Sequence, residues 1–141
     1  MNIVLNPKQT NTRKGDITLP ASVDLTGKEN FLLKIVNDGG VAKFALPTAI
    51  TDIAPYICAS GDVAGNQVAA ECPGTDENFR IRLTGACNPG DKLCLSATYG
   101  TVYAPGAGAG ALLIEYIAEE AGVDGQDLKV RKIPTRLFTF A

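Results

Sequence analysis

"YAPGAGAGALLIEY", residues 103–116, is the stretch on which the fold turns. Gly106, Gly108 and Ala111 fall in the spacing GxGxxA, one spelling of a dinucleotide-binding turn. Such a turn works because glycines let the backbone approach a pyrophosphate while a helix N-terminus faces it, within a strand, turn, helix, strand unit. Pro105 stands directly before the first glycine, where a central parallel strand should end. Nothing ahead of it alternates strands with helices, and the 31 residues after Gly110 are too few to complete a doubly wound sheet. The run GAGAGA also lacks the Lys and Ser or Thr of a phosphate loop. GAGAG therefore reads as a glycine connection between strands, glycine's commoner use.

Working outward, the flanking chain reads as short strands. FLLKIV is followed by NDGG, whose Asp38 and Gly39 are a hairpin signal, and VAKFAL then runs to Pro47. APYICAS and QVAAEC are short strands around SGDVAGN. FRIRL, residues 79–83, alternates strictly, with Phe79, Ile81 and Leu83 on one face and Arg80 and Arg82 on the other. NPGD turns into KLCLSATYGTVYA, in which Tyr99 and Gly100 can reverse the chain. LKVRKI, residues 128–133, again alternates apolar with basic. The segment ALLIEYIAEEAG fits two periods: Leu113, Ile114, Ile117 and Ala121 would share a helical face, while Leu112, Ile114, Tyr116 and Ala118 would share a strand face.

These strands predict a mainly β chain: one compact antiparallel β-barrel or β-sandwich domain at 27–141, preceded by an extended N-terminal arm at 1–26. The 141 residues suit one domain with a real core, and 15 glycines and 8 prolines suit many turns. The first 26 residues are polar, lack apolar periodicity and are broken by Pro7, Gly15, Pro20 and Gly27. No stretch approaches the roughly 20 apolar residues of a membrane span, and the start does not read as a signal peptide. Synthesis and retention in a cytoplasm is the expectation.

Chemistry is sparse. With no histidine, Ser/His and Cys/His nucleophile pairs, HExxH sites and facial triads are excluded. Asp76 with Glu77 and Glu119 with Glu120 are adjacent in sequence and would point apart on a strand. DGQD, residues 124–127, lacks the further oxygen ligands of a calcium loop. No enzyme, metal or cofactor is expected. Of the four cysteines, Cys87 and Cys94 flank NPGD and could face each other as a disulfide across a hairpin, whereas a cytosolic origin favours free thiols.

The net charge of −2 is unevenly spread. Lys8, Arg13 and Lys14 stand at one end, and Lys129, Arg131, Lys132 and Arg136 at the other, with every acid between them. Both ends suit acidic partners. Arg80, Arg82, Lys129 and Arg131 would line one basic face if FRIRL and LKVRKI pair. The acidic body, the absence of tryptophan and few aromatics argue against nucleic acid as the partner.

From Phe79 to Ile133 the motif order resembles the small bacteriophage capsid decoration, or cement, proteins. The matching features are an alternating strand leading to Pro89, Gly90 and Asp91, the hairpin KLCLSATYGTV, a glycine-rich connection, AEEAG, and GQDLKVRKI closed by Pro134. The resemblance covers roughly 40% of the chain and rests on turn order; it inclines residues 111–118 toward strand. It implies a structural virion protein on the outer surface of a phage head that stabilises the assembled shell. The implied partners are the major capsid protein and further copies of itself as a homotrimer, with no membrane or nucleic acid. The implied capsid-docking arm comprises Asn2, Ile3, Val4, Leu5, Lys8, Arg13 and Lys14, with NIVL reading equally well as an edge strand of the protein's own barrel. Other virion parts, a head-tail connector or a fibre base, are the alternative, followed by a small ligand-binding β-barrel.

Overall fold

A computed structural model describes residues 16–98 and 100–141. In chain order the strands are β1 (Asp16–Pro20), β2 (Leu32–Asp38), β3 (Val41–Ala45), β4 (Tyr56–Ser60) and β5 (Gln67–Glu71). They continue as β6 (Asn78–Arg82), β7 (Lys92–Leu95), β8 (Val102–Tyr103), β9 (Gly110–Ala118) and β10 (Asp127–Phe140). Among the described residues there is no helix, and the expected mainly β antiparallel class holds.

The architecture is one unit built twice. The first sheet has the order β1-β5-β4-β2-β3 and the second β6-β10-β9-β7-β8, the same order with each strand number raised by five. Each sheet curls until one parallel bridge nearly closes it, Ala21 beside Phe44 in the first and Leu83 beside Val102 in the second. Registers repeat: Leu33 opposite Tyr56 recurs as Leu93 opposite Tyr116, and Cys58 opposite Ala70 as Ala118 opposite Val130. Loop bonds repeat as well. The Gly65 N–H donates to Ala21 O at 2.8 Å, and the Gly125 N–H to Leu83 O at 2.9 Å. The Asn30 N–H donates to Cys58 O at 2.9 Å, and the Gly90 N–H to Ala118 O at 2.8 Å.

The cores obey the same correspondence. Ala21, Leu25, Leu33, Phe44, Cys58, Val68 and Ala70 form the buried cluster of the first barrel. Their counterparts Leu83, Cys87, Leu93, Val102, Ala118, Leu128 and Val130 all lie in the second cluster. Each fully buried large side chain contributes about 1.5–3 kcal/mol of transfer free energy.

The outer face of the first barrel supplies the joint. Leu32, Ala54 and Ile57 belong to the same cluster as the interior of the second barrel. The Leu32 N–H donates to Gly100 O at 2.7 Å, and the Arg82 N–H to Asn30 O at 2.9 Å. Apolar area and backbone bonds therefore hold the two barrels together.

Local chemistry explains the turns. Gly39 and Gly40 have φ of 61° and 89°, the two positive values of a type I′ hairpin, and Asn37 Oδ1 accepts the Gly40 N–H at 2.7 Å. The ambiguous ALLIEYIA segment is strand β9, with Ile114, Tyr116 and Ala118 buried on one face. Its helical propensity yields to pairing with β10 along most of its length.

Residues 16–26, assigned above to the arm, are part of the first barrel. β1 pairs with β5 from Asp16 to Pro20, and Leu25 is fully buried. Pro20 is tolerated because β1 is an edge strand, and the next donor is the Ala21 N–H, which bonds Asn66 O at 2.9 Å. Cys87 and Cys94 are not bonded to each other; all four cysteines are free. Cys87 lies at an isolated bridge to Gly122, while Cys94 sits within β7 opposite Tyr103, so the two belong to different pairings.

Candidate docking surfaces

β6 and β10 pair, with Arg80 opposite Lys129 and Arg82 opposite Asp127. The charges on this face are largely matched within the chain. Arg80 Nη1 lies 3.0 Å from Glu120 Oε1, Arg82 Nε 2.7 Å from Asp127 Oδ1, and Arg131 Nε 2.6 Å from Glu119 Oε2. The hydrogen bond from Arg131, with lesser contributions, holds the Glu119 carboxyl below its usual range; the Lys129 backbone N–H does most of the same for Glu120. The face is thus a ladder of salt bridges, leaving little surplus positive charge for a polyanion.

The two copies differ most at β9 and β10. Beyond the barrel, Gly110–Ile114 pairs with Arg136–Phe140 as a two-stranded ribbon, separated from the barrel ladder by an irregularity between Lys132 and Arg136. The corresponding strands β4 and β5 are only five residues each. Leu113 and Leu137 stand directly opposite each other and are 41% and 67% exposed. Isolated two-stranded ribbons are marginally stable, so this one rests on its base.

That base is a partly buried pair. Lys132 Nζ lies 3.9 Å from Glu115 Oε1 and 5.2 Å from the centre of the Tyr116 ring. Burial pushes the Glu115 carboxyl up, opposed by Lys132, and the same burial pushes the Lys132 ammonium down, opposed by Glu115. Lys132 is further held by donating to Ile133 O at 2.9 Å and Thr135 Oγ1 at 3.2 Å.

Beside the ribbon lies an open cleft of about 450 Å³. Asn88, Gly90, Asp91 and Lys92 form one wall, and Phe138 and Phe140 another. The two phenyl rings meet edge to face at 4.9 Å, and Lys92 Nζ lies 4.6 Å from the centre of the Phe138 ring. Sequence reasoning passed over both aromatics because it ended the strand at Pro134. The alternation of Leu137, Phe138, Thr139 and Phe140 was the available signal that the strand resumes.

The arm residues Asn2, Ile3, Val4, Leu5, Lys8, Arg13 and Lys14 lie outside the described residues. Among the described residues, no cluster of three or more metal-ligating side chains forms.

No protein-family profile matches the chain, and no curated protein matches it. Among solved structures, it resembles the head fiber gp8.5 N base of bacteriophage phi29, with a TM-score of 0.67 at 14% identity. The likeness spans 85% of this chain and 94% of that one. The two share a fold. Since it runs over nearly the whole of both chains, it takes in both barrels rather than one.

Proposed function

We propose that the chain is a non-enzymatic structural component of a phage particle, bound to the outer surface of the head and stabilising the assembled shell. The supporting observation is the near full-length likeness to a protein described as a head fiber base, on top of the motif order that resembles decoration proteins. The expected partner is the major capsid protein, and the expected assembly is a homotrimer, made in the host cytoplasm and then carried on the virion.

The physics is straightforward. A protein that binds the assembled lattice but not free coat subunits stabilises the lattice by mass action. Residues 2–5, NIVL, offer a strand for addition to an exposed sheet edge, while Lys8, Arg13 and Lys14 suit acids on the shell. Within this role two versions compete. A cement protein coats the whole head; a fibre base occupies fewer positions and carries a projecting partner, the version that the likeness to a head fiber base favours.

Mixing the purified protein with undecorated heads and with immature shells, then sedimenting and counting bound copies, tests the reading. Hundreds of copies on expanded heads support cement, and a smaller saturating number on expanded heads supports a fibre base. Absence of binding to either particle overturns both.

A further inference from the structure

The duplication exposes a contact that is used once and left open once. In the first barrel, the segment Lys28–Leu32 carries the second barrel: Asn30 O accepts from the Arg82 N–H, Leu32 donates to Gly100, and the Arg82 guanidinium lies 5.4 Å from the centre of the Phe31 ring. The repeat maps this segment onto Asn88–Lys92, because the Phe31 N–H bond to Lys28 O recurs as Asp91 N–H to Asn88 O. Asn88, Gly90, Asp91 and Lys92 do not carry a barrel; they line the open cleft of about 450 Å³.

The group that fills the first socket also has an uncovered twin. The turn between β7 and β8 ends at Gly100, which is buried and whose carbonyl accepts the Leu32 N–H of the first barrel at 2.7 Å. The turn between β2 and β3 ends at Gly40, with the same φ of 89° as Gly100. Here the next residue, Val41, is 50% exposed, and Ile35, on the other face of the hairpin, is 41% exposed. The hairpin that corresponds in strand order to the docked β7–β8 turn, and is two residues longer between equivalent pairs, is thus bare.

Charge favours bringing the two together. Residues 16–77 carry nine acids against three bases, whereas residues 78–141 carry six acids against seven bases. Locally, Asp38 in the bare corner is paired with Lys43 at 2.7 Å, whereas Lys92 makes no ion pair among the described residues. Phe138 and Phe140 give the cleft an aromatic wall for Val41.

We infer that the cleft is a socket for the β2–β3 hairpin of a second copy of this chain, so that copies join head to tail. Such a contact is heterologous: it closes into a ring if the rotation per copy allows, and otherwise runs on as a filament. It supplies a specific surface for the self-association proposed above, yet it rests on the repeat geometry and not on a virion role.

Sedimentation velocity of the purified chain at about 100 µM reads it directly. The wild type is expected to run larger than a monomer, and Val41→Asp and Lys92→Glu are each expected to run as monomers with unchanged melting temperature. Mixed in equal amounts, the two variants should form a one-to-one dimer, since one keeps an intact socket and the other an intact hairpin. A monomeric wild type, assembly surviving in either variant, or a mixture that stays monomeric overturns the inference. Should Lys92→Glu fail to fold, Asn88→Trp at the exposed rim of the socket takes its place. Because no capsid is present, failure here leaves head binding standing, and failure to bind heads leaves this contact standing.

Discussion

The Leu32 N–H donates to the Gly100 carbonyl at 2.7 Å, and a Cβ placed on Gly100 would lie 2.9 Å from the Leu32 carbonyl oxygen. The joint between the barrels therefore depends on a missing side chain as well as on a hydrogen bond. Gly100 also has φ of 89°, a backbone that L side chains rarely adopt. Gly65 has nearly the same φ, 90°, but open space around it. Gly65→Ala is expected to cost about 1 kcal/mol for the backbone alone, and Gly100→Ala about 3 kcal/mol because the joint must also open. Urea unfolding of the two variants checks this; equal losses would show that close approach at Gly100 has no energetic weight.

Asp52 organises the loop between β3 and β4. It accepts from Lys34 Nζ at 2.8 Å, the Thr48 N–H at 2.7 Å and the Ala49 N–H at 3.1 Å. The Lys34 bond first, then the Thr48 N–H, holds its carboxyl down to about 2. A carboxylate with a depressed folded-state pKa binds its proton less readily when folded than when unfolded. It therefore contributes stability above its unfolded value of about 3.9, and that contribution disappears as the pH falls through about 2. Asp52→Asn should lower the melting temperature at neutral pH, and the gap to wild type should shrink on acidification between those two values. A gap independent of pH would assign the loss to packing rather than charge.

The thiols divide by burial. Cys58 and Cys94 are pushed up to about 11, chiefly by burial, and Cys87 is raised for the same reason. Cys72 is exposed. Since the thiolate is the reacting form, one thiol per chain should react rapidly with an aromatic disulfide reagent under native conditions, and four after unfolding. A total of two after unfolding without reductant would mean that Cys87 and Cys94 are joined after all.

Much of this fold was legible where local chemistry and long-range pairing agree. NDGG needs two positive φ values and stands between two apolar runs, so the first hairpin follows from its residues. FRIRL and LKVRKI carry matched alternation and do pair. The duplication was hidden because the unit constrains the character of a position more than its identity. Leu25 corresponds to Cys87 and Phe44 to Val102, each pair buried, while Asn30 and Gly90 occupy equivalent positions with φ of 67° and 88°. Of the shared positions, Tyr56–Ile57 with Tyr116–Ile117 and Gly65 with Gly125 are among the few that keep the same residues. The salt-bridge ladder was half visible: the arginines were evident from alternation, but Glu119 and Glu120 become their partners only through the β9–β10 turn. The socket was not legible at all, because it is defined by comparison with the other copy.

Removing residues 2–14 separates the folded body from the segment proposed to dock on the capsid. β1 begins at Asp16 and keeps its five pairs with β5, so the truncated chain should melt at the same temperature as the full one. Its sedimentation behaviour should not change either, since the socket and the β2–β3 hairpin both lie within residues 16–141. Binding to expanded heads should be lost, and in the full chain it should weaken with added salt to the extent that Lys8, Arg13 and Lys14 meet acidic groups on the shell. Head binding that survives the deletion would transfer the docking role to the folded body, where the ribbon bearing Leu113 and Leu137 offers one exposed apolar surface.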